Sequence, residues 1–172
     1  MKFLLGVFVG VLLLPLGAFL YIRQGYAPVA TSSPMLPLER QLTSMALKAR
    51  IAKEAPADSP MSANEENLVA GARIYREECA VCHGMLDESR TVIAKGLFPH
   101  PPLLLHGKGV TEDPPGHTWW IVKNGIRLTG MPGFDGSLTN DEMWQVTLLL
   151  ANANRLPPAA TTALAGAISL AQ

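Results

Sequence analysis

The chain has 172 residues, with 14 basic and 14 acidic side chains and a charged fraction of 16%. Zero formal charge argues against a nucleic-acid-binding chain, which carries its basic excess on one face. Two cysteines exclude a disulfide scaffold, and 14 prolines with 15 glycines in no period exclude collagen.

The excess hydrophobicity lies at the N-terminus. Phe3 to Ile22 is a run of 20 residues without a charge, bracketed by Lys2 and Arg23. As a helix it spans about 30 Å, the thickness of bilayer hydrocarbon. A cleaved signal peptide would have an apolar core of about 7–15 residues and a small-residue cleavage site. The nearest candidate site, Gly25-Tyr26-Ala27, is followed by Pro28. An uncleaved anchor over residues 1–23 is therefore expected, with a signal peptide as the alternative. Either exports the remainder. Pro15 is tolerated because membrane helices accommodate proline.

Residues 24–61 read as a proline-rich spacer. Within it Leu38, Leu42, Met45, Ala46 and Ala49 recur at helical spacing, opposite Arg40, Lys48, Arg50 and Lys53. This predicts an amphipathic helix that rests on a membrane or partner, or packs on its own domain. A compact domain is expected over 62–156. Ser62 and Glu65 form a capping-box pattern opening a helix through Leu68, Ala72 and Tyr75 that ends near Glu78. A second helix is expected over Thr118–Lys123, stopped at Gly125. Thr139 and Glu142 open a third through Trp144, Leu148 and Ala151, before Pro157 and Pro158. Long Gly/Pro-rich loops occupy 84–117 and 126–138, and loops of that length imply a function or a large object to wrap. No alternating strand pattern is present. The tail 157–172 is small, apolar and too short to span a bilayer.

Cys79-Ala80-Val81-Cys82-His83 is C-x-x-C-H, the attachment signature of c-type haem. Two thiols one helical turn apart can add across the porphyrin vinyl groups, fixing the adjacent histidine beneath the iron as an axial ligand. A thioredoxin-like motif would need a βαβ context, and a zinc site about four ligands in paired spacing. His100, His106 and His117 lack that spacing. A Cys79–Cys82 disulfide would leave His83 unexplained. Methionine sulfur is the common second ligand and raises the potential. Met131, 48 residues after His83 in Thr129-Gly130-Met131-Pro132-Gly133-Phe134, is the candidate. Met85 lies too near the attachment helix, and Met143 reads as core.

These residues give the chain a family resemblance. Over about residues 64–156 it resembles a class I cytochrome c of the small bacterial membrane-anchored monohaem type. The likeness rests on Gly71-Ala72-Arg73-Ile74-Tyr75, Cys79–His83, Trp120-Ile121-Val122-Lys123-Asn124-Gly125, the Met131 loop and Trp144. It implies a mostly α fold around one covalent haem c, here preceded by a single N-terminal transmembrane helix and a spacer. It further implies that the first and last helices cross tightly, with Gly71 and Tyr75 meeting Trp144 and Leu148. A proline carbonyl, of Pro101 or Pro102, would orient the His83 ring. Trp119 and Trp120 are expected to wall the haem edge.

With cofactor attachment at Cys79 and Cys82 and metal ligation by His83 and Met131, no coordination position is left for oxygen, peroxide or a small-molecule substrate. The expected function is a one-electron carrier and not an enzyme. Its partners would be redox proteins, and its place the inner membrane with the haem domain on the periplasmic side. Lys95, Lys108, Lys123 and Arg127 are candidate docking charges, with ordinary solvated charges as the plainer reading. A haem-bearing subunit fixed in a respiratory or dehydrogenase complex is the alternative. A haem enzyme or gas sensor would require Met131 off the iron.

Overall fold

The computed structural model describes residues 2–86, 90–106 and 110–166. It divides into two compact units, Met1–Gln41 and Leu42–Gln172.

The first unit is dominated by α1 (Lys2–Arg23), a 22-residue helix containing Pro15 that is long and apolar enough to cross a membrane. Its C-terminus is tied off by a double hydrogen bond. The Tyr26 amide donates to the Tyr21 carbonyl at 3.2 Å and the Gly25 amide to that of Ile22 at 3.0 Å. Gly25 adopts φ 77°, the left-handed conformation this helix ending requires. The Tyr21 and Tyr26 rings meet at 6.0 Å across the motif.

In the second unit all described regular structure is helical, apart from one isolated bridge between Asp135 and Leu138. The elements are α2 (Glu39–Glu54, whose first three residues fall in the first unit), α3 (Glu65–Ile74), α4 (Ala80–His83), α5 (Val92–Gly96), α6 (Pro115–Asn124), α7 (Asn140–Ala151) and α8 (Pro158–Ala165). A π-turn over Tyr75–Cys79 joins α3 to α4, and a 3-10 turn covers Leu104–His106.

Helix α3 is capped by Asn64, whose side chain accepts from the Asn67 amide at 2.9 Å; the expected Ser62–Glu65 box does not form. Asn caps as well as Ser, and it stands two residues nearer the apolar face. The helix also does not end at Glu78. The π-turn shifts the hydrogen-bond register, with the Ala80 amide reaching the Tyr75 carbonyl, so the chain stays helical through His83. Gly84, at φ 72°, ends it. Helix α6 starts three residues before its expected position, because Pro115 supplies a pre-set φ in the first turn. The Thr139–Glu142 capping box on α7 is present as expected, and its hydrogen bonds hold the Glu142 carboxyl below its ordinary range.

The core is the crossing of α3 and α7. A Cβ on Gly71 would collide with the Gln145 backbone carbonyl and stand 3.1 Å from the Leu149 Cβ. The partners at Gly71 are therefore Gln145 and Leu149, one position beyond the expected Trp144 and Leu148. Both of those are buried, and Trp144 stacks on Trp119 of α6 at 5.4 Å. The 157–172 tail, which sequence periodicity leaves without a role, contributes α8. Its Ala160 and Leu164 are buried in the core cluster, and Arg76 Nη1 donates to the Ala163 carbonyl at 2.8 Å. Helix α7 ends at Ala151 with Asn152 as its cap, and the proline pair begins a new helix.

Helix α2 forms where expected, and a second apolar pair, Leu47 and Ile51, is the one turned inward. Ile51 is buried and Leu47 half-buried, whereas Leu42 and Met45 are 58% and 64% exposed. Beyond its end, the Pro56 carbonyl sits on Gly116 of α6 closer than any Cβ would allow. Trp120 Nε1 donates to the Glu54 carboxylate at 3.1 Å.

Replacing Gly71 with alanine forces α3 off α7. Overpacking a well-packed core costs about 1–3 kcal/mol, and here the obstacle is backbone. A loss of stability at or above the top of that range, measured by thermal or denaturant unfolding, is expected.

Candidate functional site

Cys79, Cys82 and His83 lie on one short stretch of chain, the end of the π-turn and α4. Cys79 is buried, Cys82 half-buried, and neither is disulfide-bonded. Burial, reinforced by Glu78 and by Cys82, pushes the Cys79 thiol up to about 12.

His83 is buried, at 9% exposure, and its Nδ1 lies 2.8 Å from the Pro102 carbonyl oxygen. A carbonyl can only accept, so Nδ1 carries the proton. Desolvation lowers the ring's pKa, opposed by the Pro102 bond, and so favours the neutral form. A neutral imidazole donating from Nδ1 keeps its lone pair on Nε2, the state of a metal-ligating histidine held by a carbonyl. Pro102, and not Pro101, makes this contact; Pro101 instead accepts from Arg90 Nε at 3.4 Å.

The end of α4 is fixed from inside the core. Tyr75, fully buried in the π-turn, donates its hydroxyl to the Gly84 carbonyl at 2.8 Å. Desolvation raises its pKa, so it remains a neutral donor. Sequence periodicity assigns Tyr75 to the helix face, but gives no sign of this bond across nine residues.

Met131 is half-buried on the loop after α6 and packs against the same core cluster that buries Cys79. The loop is built onto the C-terminal carbonyls of α6. Phe134 and Asp135 amides donate to Val122 and Lys123 at 3.0 and 3.1 Å, and the Ile126 amide donates to Met131's own carbonyl at 3.1 Å. Thr129 Oγ1 accepts from the Met131 amide at 3.1 Å. This folding-back needs glycine twice. Gly125 adopts φ 68°, and a Cβ there would stand 2.5 Å from the Gly133 nitrogen; a Cβ on Gly133 would stand 2.8 Å from the Asn124 carbonyl carbon.

Among the other candidates, His100 and His106 are exposed and His117 is half-buried. No cluster of three or more His, Cys, Asp or Glu is assembled for a metal among the described residues. Trp119 and Trp120 are both half-buried, and the Trp119 Nε1 is a buried donor without a hydrogen-bond partner. Lys123 lies over the Trp119 ring at 5.2 Å and 4.0 Å from Asp135. Lys95 and Arg127 are exposed, and Lys108 lies outside the described residues. Met143 is buried in the core, as expected.

The residues fit a covalent haem. Paired unbridged thiols stand beside a neutral histidine with a free Nε2 lone pair, with a glycine-built methionine loop on the same core and an unmatched buried indole N–H.

Residues 66–149 match the family described as cytochrome C oxidase, cbb3-type, subunit III. The chain is also similar to the quinohemoprotein alcohol dehydrogenase ADH IIB of Pseudomonas putida, 34% identical over 109 residues. That stretch is 59% of this chain and only 14% of the relative. No solved structure matches.

Tyr75→Phe leaves the Gly84 carbonyl without its buried donor. A destabilisation of about 1–3 kcal/mol is expected in the haem-loaded protein, measured by denaturant unfolding.

Proposed function

Residues 66–149 are a cytochrome c domain, and from that premise we propose that this chain is a membrane-anchored one-electron carrier with a single His/Met-ligated haem c. A domain of this family implies covalent haem, an electron-carrying role and redox protein partners. The observation that carries the finer reading is the His83 ring, buried, neutral and held by Pro102 at 2.8 Å so that Nε2 is the coordinating atom.

Cys79 and Cys82 would hold the haem through thioethers, with His83 and Met131 as axial ligands. Bound haem supplies an iron that cycles between ferrous and ferric states. The chain's own residues do the rest. Pro102 fixes the tautomer and orientation of His83. Tyr75 pins the end of α4, so the thiols and imidazole move as one body. The α6 carbonyls and Gly125 hold the Met131 loop in place, leaving thioether sulfur as a ligand that favours the reduced state. Two protein ligands leave no open coordination position, so the site moves electrons and does not transform a substrate. Helix α1 supports the anchored reading by its length and apolarity, with the haem domain exported.

A second reading, a haem-bearing subunit fixed in a larger complex, draws support from two observations. The matched family is described as an oxidase subunit, and the similar stretch of the dehydrogenase is a small part of a longer protein. Extraction in mild detergent separates the readings. A carrier elutes as the single haem chain, and a fixed subunit co-purifies with its complex in constant ratio.

Cys79→Ala/Cys82→Ala should abolish haem that survives denaturation and acid extraction; covalent haem in the double variant contradicts the attachment. Met131→Ala should lower the midpoint potential by on the order of 0.1 V or more, within the roughly 0.8 V range that axial ligands span. An unchanged redox titration would remove Met131 from the iron.

A further inference from the structure

Helix α2 carries two apolar faces, and only one is used. At 100° per residue, Ile51 stands nine positions and about 180° from Leu42. Leu47 and Ile51 turn inward and lose exposure, and the turn beyond the helix seats Pro56 on Gly116. The opposite face presents Leu42, Met45, Ala46 and Ala49 to solvent, with Leu42 58% and Met45 64% exposed.

The charge of the chain is divided in the same place. Residues 64–156 hold 11 acidic and 8 basic side chains, whereas α2 holds four basic ones (Arg40, Lys48, Arg50 and Lys53) against Glu39 and Glu54. Of these, Lys53 and Arg50 stand within about 80° of Leu42 on the outward side, Arg50 also pairing with Glu54 at 2.7 Å. An outward apolar face flanked by such cations matches the interface of an anionic bilayer, where apolar side chains enter the headgroup boundary and cations meet lipid phosphate. Its position in the chain makes that surface available: 15 residues separate the end of α1 from the start of α2. A segment tethered so closely needs only weak intrinsic affinity, because the tether supplies a high effective concentration.

We infer that the outward face of α2 lies on the membrane surface and, through its contacts with α6, holds the cytochrome domain down against the bilayer. This rests on the anchored reading above. It shortens the tether to residues 24–38 instead of the whole spacer, and it restricts the orientations in which the domain meets its partners.

The test uses the full-length, haem-loaded protein in phosphatidylcholine vesicles with and without phosphatidylglycerol. With Cys79 and Cys82 taken up by haem, a benzophenone maleimide reacts at one introduced cysteine: Met45→Cys, Leu12→Cys within α1, or Arg73→Cys, exposed on α3. Photolysis and mass spectrometry then identify the adduct. Lipid adducts at positions 12 and 45 but not 73, with the yield at 45 rising with phosphatidylglycerol and lost on adding Leu42→Asp, are the expected result. A lipid adduct at 12 with none at 45, or a protein adduct at 45, overturns the inference while leaving the anchor intact. No lipid adduct at 12 overturns the anchored reading, and this inference with it.

Discussion

The segment that carries His83 continues from a helix held by one close backbone contact, Gly71 of α3 against the Gln145 carbonyl of α7. No side chain fits between these helices, so their axes approach as closely as backbones can. That approach lets α7 bury an almost continuous apolar face from Met143 to Leu150. Helix α3 is the common element. It packs on α7 and α8 and runs through the π-turn into the segment carrying both cysteines and the histidine. A rigid α3 therefore means a rigid attachment segment, and Tyr75 completes the arrangement by tying the last turn back to the core. Low rearrangement between oxidation states is what an electron carrier requires of its protein.

The second constraint is the shortage of buried partners for His83. A buried imidazole without a hydrogen bond would be costly, and one bonded at both nitrogens could not bind a metal. The single carbonyl of Pro102 resolves this, because an acceptor at Nδ1 leaves Nε2 with its lone pair. The Met131 loop faces a similar problem, since the last carbonyls of α6 need donors. The amides of Phe134 and Asp135 supply them, so the requirement that ends the helix also builds the loop.

Much of the helical order and the candidate chemistry was legible in the sequence, because each had a local signal. The C-x-x-C-H spacing, the Thr139–Glu142 cap and the Gly125 stop all act within a few residues. What was not legible depended on contacts far apart in the chain. The continuation past Glu78 needed the π-turn, whose register is stabilised by Tyr75 reaching Gly84. The choice of Pro102 over Pro101 depends on where a long loop returns. Helix α8 looked like an irregular tail because alanine and threonine give little periodicity, and its burial becomes evident only against α3. Which face of α2 docks was left open by the sequence for a related reason. Leu42, Met45 and Ala49 make the longer stripe, yet the docking surface selects Leu47 and Ile51.

The central claim is that His83 and Met131 close both faces of a covalent haem, and an absorption spectrum tests it most directly. The haem-loaded protein would be recorded oxidised, reduced, and reduced under carbon monoxide. The account predicts low-spin spectra, a weak methionine-to-ferric-iron band in the oxidised form, and no change on adding carbon monoxide. Ready carbon monoxide binding by the reduced protein would contradict it, and would turn the reading toward sensing or catalysis at an open iron.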